Sequence, residues 1–182
     1  MTDAPLAMHP AAQAHRATGG ATGWKGVLLH IHIAPSAGAD MQELAEAECV
    51  AGHGIVGDRY ANGTGTYSNK PDAREATLME QEVLDALARN DPPLQAGPIL
   101  LSPSEHRRNL TVRGVPVNHL AGRRFRIGEV FFFGSRLNFP CKYLAELLGK
   151  PVMLPLYNRS GLNCIIERGG TIRRGDVVEL VD

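Results

Sequence analysis

Leu120-Ala121-Gly122-Arg123-Arg124-Phe125-Arg126-Ile127-Gly128-Glu129-Val130-Phe131-Phe132-Phe133 is the stretch that decides the fold class. It reads as two strands joined at Ile127-Gly128. Side chains alternate across a strand, so Phe125 and Ile127 on one arm and Val130 and Phe132 on the other supply one inward face. The same grammar runs through the rest of the chain. Downstream, Gly161 to Glu167 reads as a strand. Gly169-Gly170 then turns into Thr171-Ile172-Arg173, and Arg174-Gly175-Asp176 turns into Val177 to Val181. Pro151 to Leu156 reads as a further strand. Upstream, Gly26 to Ala34 is a strand ended by Pro35 and Gly38, Glu48 to Ala51 is another, and a third starts at Leu110. Many short strands, glycine punctuation and few helices predict a mainly β fold. The expected architecture is a closed β-barrel with a few short peripheral helices.

Two helices are expected. Thr77 reads as the N-cap of a helix over Leu78 to Arg89, with Glu80 completing a capping box. Leu78, Val83, Leu84 and Leu87 give it an apolar face, and Asp91-Pro92-Pro93 stops it. The second helix follows Phe139-Pro140-Cys141 and carries Leu144, Leu147 and Leu148 at helical spacing.

Composition sets bounds. The 182 residues suit one domain plus a tail. Residues 1–23, rich in Ala, Gly, Thr and Pro, have no hydrophobic period and read as a disordered tail in which His9 and His15 are solvated. The folded domain is expected over residues 24–182. Lys+Arg and Asp+Glu both number 19, so the net charge of zero gives no bulk attraction to nucleic acid or to an acidic membrane surface. No apolar run approaches the ~18 residues of a membrane span, and no signal peptide is evident. The three cysteines, Cys49, Cys141 and Cys164, are widely spaced without a CxxC pair, which points to a reducing, cytoplasmic setting rather than a disulfide framework.

Cys141 is a chemical candidate, or else a buried, inert thiol. A thiol between a loop and a helix start meets unpaired N–H groups and a partial positive charge, which favour the thiolate. Arg107, Arg108 and Asn109, just before a strand, form a compact donor set suited to an oxyanion, or else a solvated turn. Gly52, Gly54 and Gly57 mark a tightly turning backbone, beside which Asp58-Arg59 is either a structural turn pair or an anion contact. The polar loop from Ala61 to Ala73 is long enough to cover a site or simply to move. His30 and His32 share one strand face, with a surface or structural role ahead of a metal role.

Four pieces in order resemble the MOSC domain, named for the C-terminal domain of molybdenum cofactor sulfurases. They are Gly54-Ile55-Val56-Gly57-Asp58-Arg59; Arg107-Arg108-Asn109 running to Val115; Gly128-Glu129-Val130 leading to Pro140-Cys141; and Ser160-Gly161-Leu162 through Gly170 to Asp176. The resemblance implies a barrel of the type also found inserted in pyruvate kinase. It further implies molybdenum cofactor binding or sulfur transfer. Arg107 and Asn109 match the arginine and asparagine that hold the pterin's phosphate end, and Cys141 matches the cysteine that gives molybdenum a sulfur ligand. Arg59 and Arg108 are candidates for helping with anionic groups. Cys164 would fill a core position, although a dithiol mechanism opens if it approaches Cys141.

Two functions follow from the resemblance. The first is a molybdenum-dependent oxidoreductase that reduces N-hydroxylated small molecules with electrons from a partner protein. The second is a carrier, in which Cys141 accepts persulfide sulfur from a cysteine desulfurase, or the domain delivers cofactor to a molybdoenzyme client. A weaker third is a barrel of this ancestry holding another anionic ligand without metal. No pyridoxal phosphate is expected on this chain.

Overall fold

The computed structural model describes residues 23–69 and 74–181. Residues 1–22 of the tail expected over 1–23, the end of the polar loop at 70–73 and residue 182 lie outside the described residues.

The opening hairpin forms as its alternation predicts. β7 (Arg124–Ile127) pairs antiparallel with β8 (Val130–Leu137) through a turn at Gly128-Glu129. Phe125, Ile127, Val130 and Phe132 are fully buried, and the Phe125 and Phe132 rings stack with centroids 5.4 Å apart. The outward Phe131 and Phe133 lie beneath the guanidiniums of Arg168 and Arg124. Their apolar faces are thereby covered by cation–π contact rather than by the core.

Around this hairpin the chain closes a seven-stranded barrel, ordered β11-β7-β8-β9-β5-β6-β1 and back to β11. The remaining members are β1 (Lys25–Ile33), β5 (Ala76–Glu80), β6 (Leu110–Arg113), β9 (Leu162–Arg168) and β11 (Val177–Val181). β5 and β6 run parallel, and the other barrel ladders are antiparallel. Closure removes the open sheet edge that would otherwise invite aggregation. β2 (Gln42–Leu44) extends β1, while β3 (Glu46–Val50), β4 (Gly54–Ile55) and β10 (Gly170–Arg173) form a small separate sheet. The barrel interior holds Leu28, Ile31, Leu78, Leu110, Phe125 and Phe132 with their neighbours. A mainly β closed barrel with two short helices is therefore what the chain forms.

Two expected elements are corrected. Residues 76–80 are a strand, and helix α1 covers only Gln81–Arg89. Thr77 is not a cap. Its hydroxyl donates to Asn109 Oδ1 at 2.8 Å, and the helix starts at Glu80 without a side-chain cap. The reason is burial on both faces: Ala76 and Leu78 face the barrel core, and Met79 packs outward in a second apolar cluster with Val83, Leu84 and Leu87. A strand covered on both sides loses the period-2 pattern that would identify it. The second correction is Pro151–Leu156, which forms turns rather than a strand. Leu156 N–H donates to the Val152 carbonyl at 3.1 Å, and both side chains join the second cluster. Four-residue spacing of the buried pair belongs to a helical turn.

β9 is entered through Gly161, at φ +96°. A Cβ there would lie 2.0 Å from the Leu78 carbonyl oxygen of β5, a strand that pairs with β9. Backbone cannot yield as a side chain can, so Gly161→Ala combines left-handed strain with a clash. We expect it to lower unfolding free energy by about 3 kcal/mol or more. Urea denaturation checks this, and an unchanged midpoint would contradict the packing described.

Candidate functional site

Helix α2 (Lys142–Leu148) begins after Cys141, which occupies its N-cap with extended φ −132° and ψ 154°. The Cys141 carbonyl accepts from Leu144 N–H at 3.1 Å and Ala145 N–H at 3.2 Å. The half-buried Cys141 packs at the edge of the second apolar cluster and lines two clefts. The larger has a volume of about 200 Å³ and is lined by Tyr60, Tyr67, Arg74, Arg108, Arg136 and Asn163 in addition to the 137–141 segment. The smaller adds Arg59, Arg107 and Tyr143. Arg108 and Cys141 stand in both.

Arg108 is held firmly. Its Nε donates to the Ser160 carbonyl at 3.0 Å, one Nη to Ser160 Oγ at 2.8 Å and the other to the His106 carbonyl at 3.2 Å. Burial is the main cause that lowers its pKa to about 10, so it stays charged at neutral pH. The loop beneath it is set by His106, whose Nδ1 accepts from Arg108 N–H at 2.9 Å. The proton must then sit on Nε2, which donates to Thr111 Oγ1 at 2.9 Å. Burial, followed by the nearby Arg108 charge, drives His106 well below the ordinary histidine value.

A depressed histidine makes protons favour the unfolded chain. The stability it contributes is present above the unfolded pKa of 6.5 and is lost as pH falls from there toward the folded value. One such group gives a slope of up to about 1.4 kcal/mol per pH unit. His32, also lowered mainly by burial, adds to it. Urea midpoints measured from about pH 7.5 to 5 should fall for the wild type and fall less steeply for His106→Gln. Equal slopes would contradict the neutral buried imidazole.

The sequence candidates separate in space. Arg59 is buried and ion-paired to Asp58, Nη1 to Oδ1 at 3.1 Å, and its Nη2 donates to the Arg107 carbonyl at 2.8 Å. Asp58 also accepts from the N–H groups of Ala34 and Tyr60. Asp58-Arg59 thus braces a turn, while Arg59 also lines the smaller cleft. Arg107, in the left-handed region at φ +63°, donates from Nη1 to the Ala39 carbonyl at 2.6 Å and reaches that same cleft. Asn109 is fully buried away from both clefts. Its Oδ1 accepts from Thr77 N–H and Oγ1, and its Nδ2 donates to the His32 carbonyl at 3.1 Å. It ties β1, β5 and β6 together and lines neither cleft.

Cys164 lies in the barrel core and Cys141 against the outer cluster, and all three cysteines are free thiols. Burial pushes Cys164 well up and Cys49 up to about 12, so neither is a ready thiolate. His30 Nδ1 is 2.7 Å from Glu43 Oε1, and no group of three potential metal ligands exists among the described residues.

Residues missed from sequence complete the larger cleft. Tyr67, from the polar loop, lines both clefts with Cys141, and its interaction with that thiol is the main cause raising the tyrosine pKa. Thr66 and Tyr67 of this loop line the clefts, and an aromatic residue in it was the available signal. Arg74 donates from Nε to Asn163 Oδ1 at 2.9 Å, with its guanidinium near the Tyr67 and Tyr60 rings at 5.1 and 5.5 Å.

A model of the MOSC domain matches residues 62–179, from the polar loop into β11. The chain belongs to the MOSC domain family. Its larger cleft, with Arg74, Arg108, Cys141 and Asn163, lies within the matched MOSC region apart from Tyr60. β1 and Arg59 precede it. The comparison with curated proteins gives no match. Among solved structures, the fold is similar to the YuaD protein of Bacillus subtilis, with a TM-score of 0.72 at 17% identity over 87% of this chain and 97% of that one. It is also similar to YiiM of Geobacillus stearothermophilus, TM-score 0.62 at 14% identity over 86% and 75%. YiiM of Escherichia coli gives 0.57 at 18% identity over 85% and 70%. At these identities the likeness is one of fold.

Proposed function

We propose that this MOSC protein binds a molybdenum cofactor in the clefts beside Cys141 and reduces small N-hydroxylated molecules in the cytoplasm. The observation that carries the reading is a thiol sharing one wall with two charged guanidiniums, Arg74 and Arg108, that have no ion-pair partner among the described residues. These residues fit the group. A thiolate is a soft anionic ligand for molybdenum, and arginine forks suit a phosphate and other oxyanions. Cys141 would hold the metal, Arg108 and its neighbours the anionic end, and the Tyr67 hydroxyl would orient the sulfur. The bound cofactor would supply the two-electron chemistry. In balance, an N-hydroxylated amine takes up two electrons and two protons and leaves as the amine and water. The electrons would come from a donor protein, since no haem or iron–sulfur motif is evident in the sequence.

The half-exposed Cys141 also favours a second reading, a carrier that takes persulfide sulfur from a cysteine desulfurase or passes cofactor to a client enzyme. Protein purified from a host that makes the cofactor separates the two. Near-stoichiometric molybdenum and pterin, with reduction of a hydroxylamine by an artificial electron donor, is expected for the reductase. Absence of molybdenum, with sulfur added at Cys141 by intact mass after desulfurase treatment, would replace it with the carrier.

A further inference from the structure

Among the large hydrophobic side chains that the fold leaves exposed, Leu94, Leu100, Met153, Leu154 and Tyr157 come from two neighbouring segments, 91–100 and 150–159. Leu100, Leu154 and Tyr157 are 71%, 60% and 62% exposed. Pro93, Pro98 and Pro151 are exposed among them. The segments lie side by side. Arg159 Nη1 donates to the Asp91 carbonyl at 3.1 Å, and Lys150 Nζ to the Leu100 carbonyl at 2.8 Å. Between them is a groove of about 340 Å³, lined by residues 95–100 on one side and by Lys150 and Pro151 on the other. Single exposed apolar residues need no explanation, but a patch drawn together in this way marks an interaction surface.

The patch is fixed in place. Asn90 Nδ2 donates to the Gln95 carbonyl at 3.1 Å, Ile99 N–H to the Leu87 carbonyl at 3.0 Å and Tyr157 N–H to the Leu154 carbonyl at 3.1 Å. Ile99, Val152 and Leu156 anchor the two segments from beneath in the second apolar cluster. A surface held like this loses little conformational entropy when it is covered. It also has an unmet bond. Gln95 Nε2 donates to the Gly97 carbonyl at 2.8 Å, which determines the amide orientation, and Gln95 Oε1 is buried with no hydrogen-bond partner among the described residues. An orphaned acceptor in the wall of a groove calls for a donor.

We infer that this face binds a second copy of the chain across a two-fold axis. Charge is the first reason. Lys150, the one charged residue lining the groove, is already paired with Glu105. The face therefore has no charge pattern that would select an acidic or a basic partner, and two copies of it meet without stranding a charge. Shape is the second. A two-fold interface pairs one patch with itself, and this patch holds both a groove and, in the turns after Pro151, apolar side chains to fill one. Leu154 of each copy enters the groove of the other, and the Tyr157 hydroxyl is the donor offered to Gln95 Oε1. Extent is the third. The two segments span about twenty residues, the lower end of the roughly 20–30 a side that a stable interface of about 800 Å² per partner uses. Cys141 and the two clefts beside it lie outside this face, so the pairing is independent of what binds there.

Sedimentation equilibrium of the full chain tests the pairing. Between about 1 and 100 μM it should show monomer and dimer in exchange, since interfaces of standard size reach micromolar affinity or better. Leu154→Asp puts a charge into the seam and should weaken dimerisation about thirtyfold or more. Leu100→Asp, on the other segment, should do the same. Both side chains are exposed, so both variants should fold, which circular dichroism checks. Val56→Asp, at an exposed apolar residue outside the face, should leave the dimer constant within about twofold. Hydrogen exchange over residues 93–100 should slow as the wild-type concentration rises, and should not do so in Leu154→Asp. A wild type that stays monomeric across the range overturns the proposal. So does a dimer equally stable in Leu154→Asp and Leu100→Asp, which would place the contact elsewhere. A monomer that binds phosphatidylcholine vesicles through Leu154 would give the face to a lipid surface and overturn the second copy.

Discussion

Cys141→Ser is expected to abolish molybdenum retention while leaving the barrel as stable as before. Removing a metal ligand should lower affinity by roughly a hundredfold or more, since even outer partners of ligands contribute 10–100-fold. The fold should not suffer. Cys141 is half-buried at the N-cap of α2 and makes no side-chain cap bond. Serine is a better cap than cysteine and would contribute up to about 1 kcal/mol if it caps. The metal-to-protein ratio and the urea midpoint should therefore move independently. A variant that keeps its molybdenum would remove Cys141 as the ligand, and a large fall in stability would show that the thiol is structural.

The second large effect is expected at Asn109. Asn109→Ala leaves the Thr77 N–H and the His32 carbonyl without their side-chain partner in a fully buried setting. Each orphaned group costs about 1–3 kcal/mol, so a loss of about 3–5 kcal/mol is expected. Thermal and urea unfolding would report it. Phosphate affinity per folded molecule should stay near wild type, because the amide reaches neither cleft. Loss of phosphate binding at unchanged stability would instead make Asn109 a ligand residue. The resemblance to the family implies a phosphate contact at this position, so the experiment separates two physical roles for one side chain.

The barrel was legible wherever one strand face is dry and the other wet. β7 and β8 announce themselves through Phe125, Ile127, Val130 and Phe132. β5 did not, because Met79 on its outer face is covered by α1 and the second cluster. A strand apolar on both faces and a helix start then look alike. The segment 151–156 misled for a related reason: its apolar residues are plentiful, but only Val152, Pro155 and Leu156 are buried.

The site divides along the same line. By itself the sequence determined the MOSC order of motifs, the hairpin alternation and the loop-to-helix position of Cys141. The last two are local, read within a few residues of one another, and the first is an order of short local pieces along the chain. Only the tertiary structure decided which donors surround that thiol. Arg74 and Asn163 are far apart along the chain and meet because β5 and β9 pair with Thr77 opposite Asn163. Arg108 is fixed by Ser160, 52 residues further along the chain. Asn109, next to Arg108 in sequence, is instead buried among three strands, bonded to Thr77 of β5 and His32 of β1 just before β6 begins. Arg108 is held at the cleft by Ser160 and His106, whereas Asn109 is held among β1, β5 and β6 by Thr77 and His32, and only the folding of those distant segments together supplies these partners.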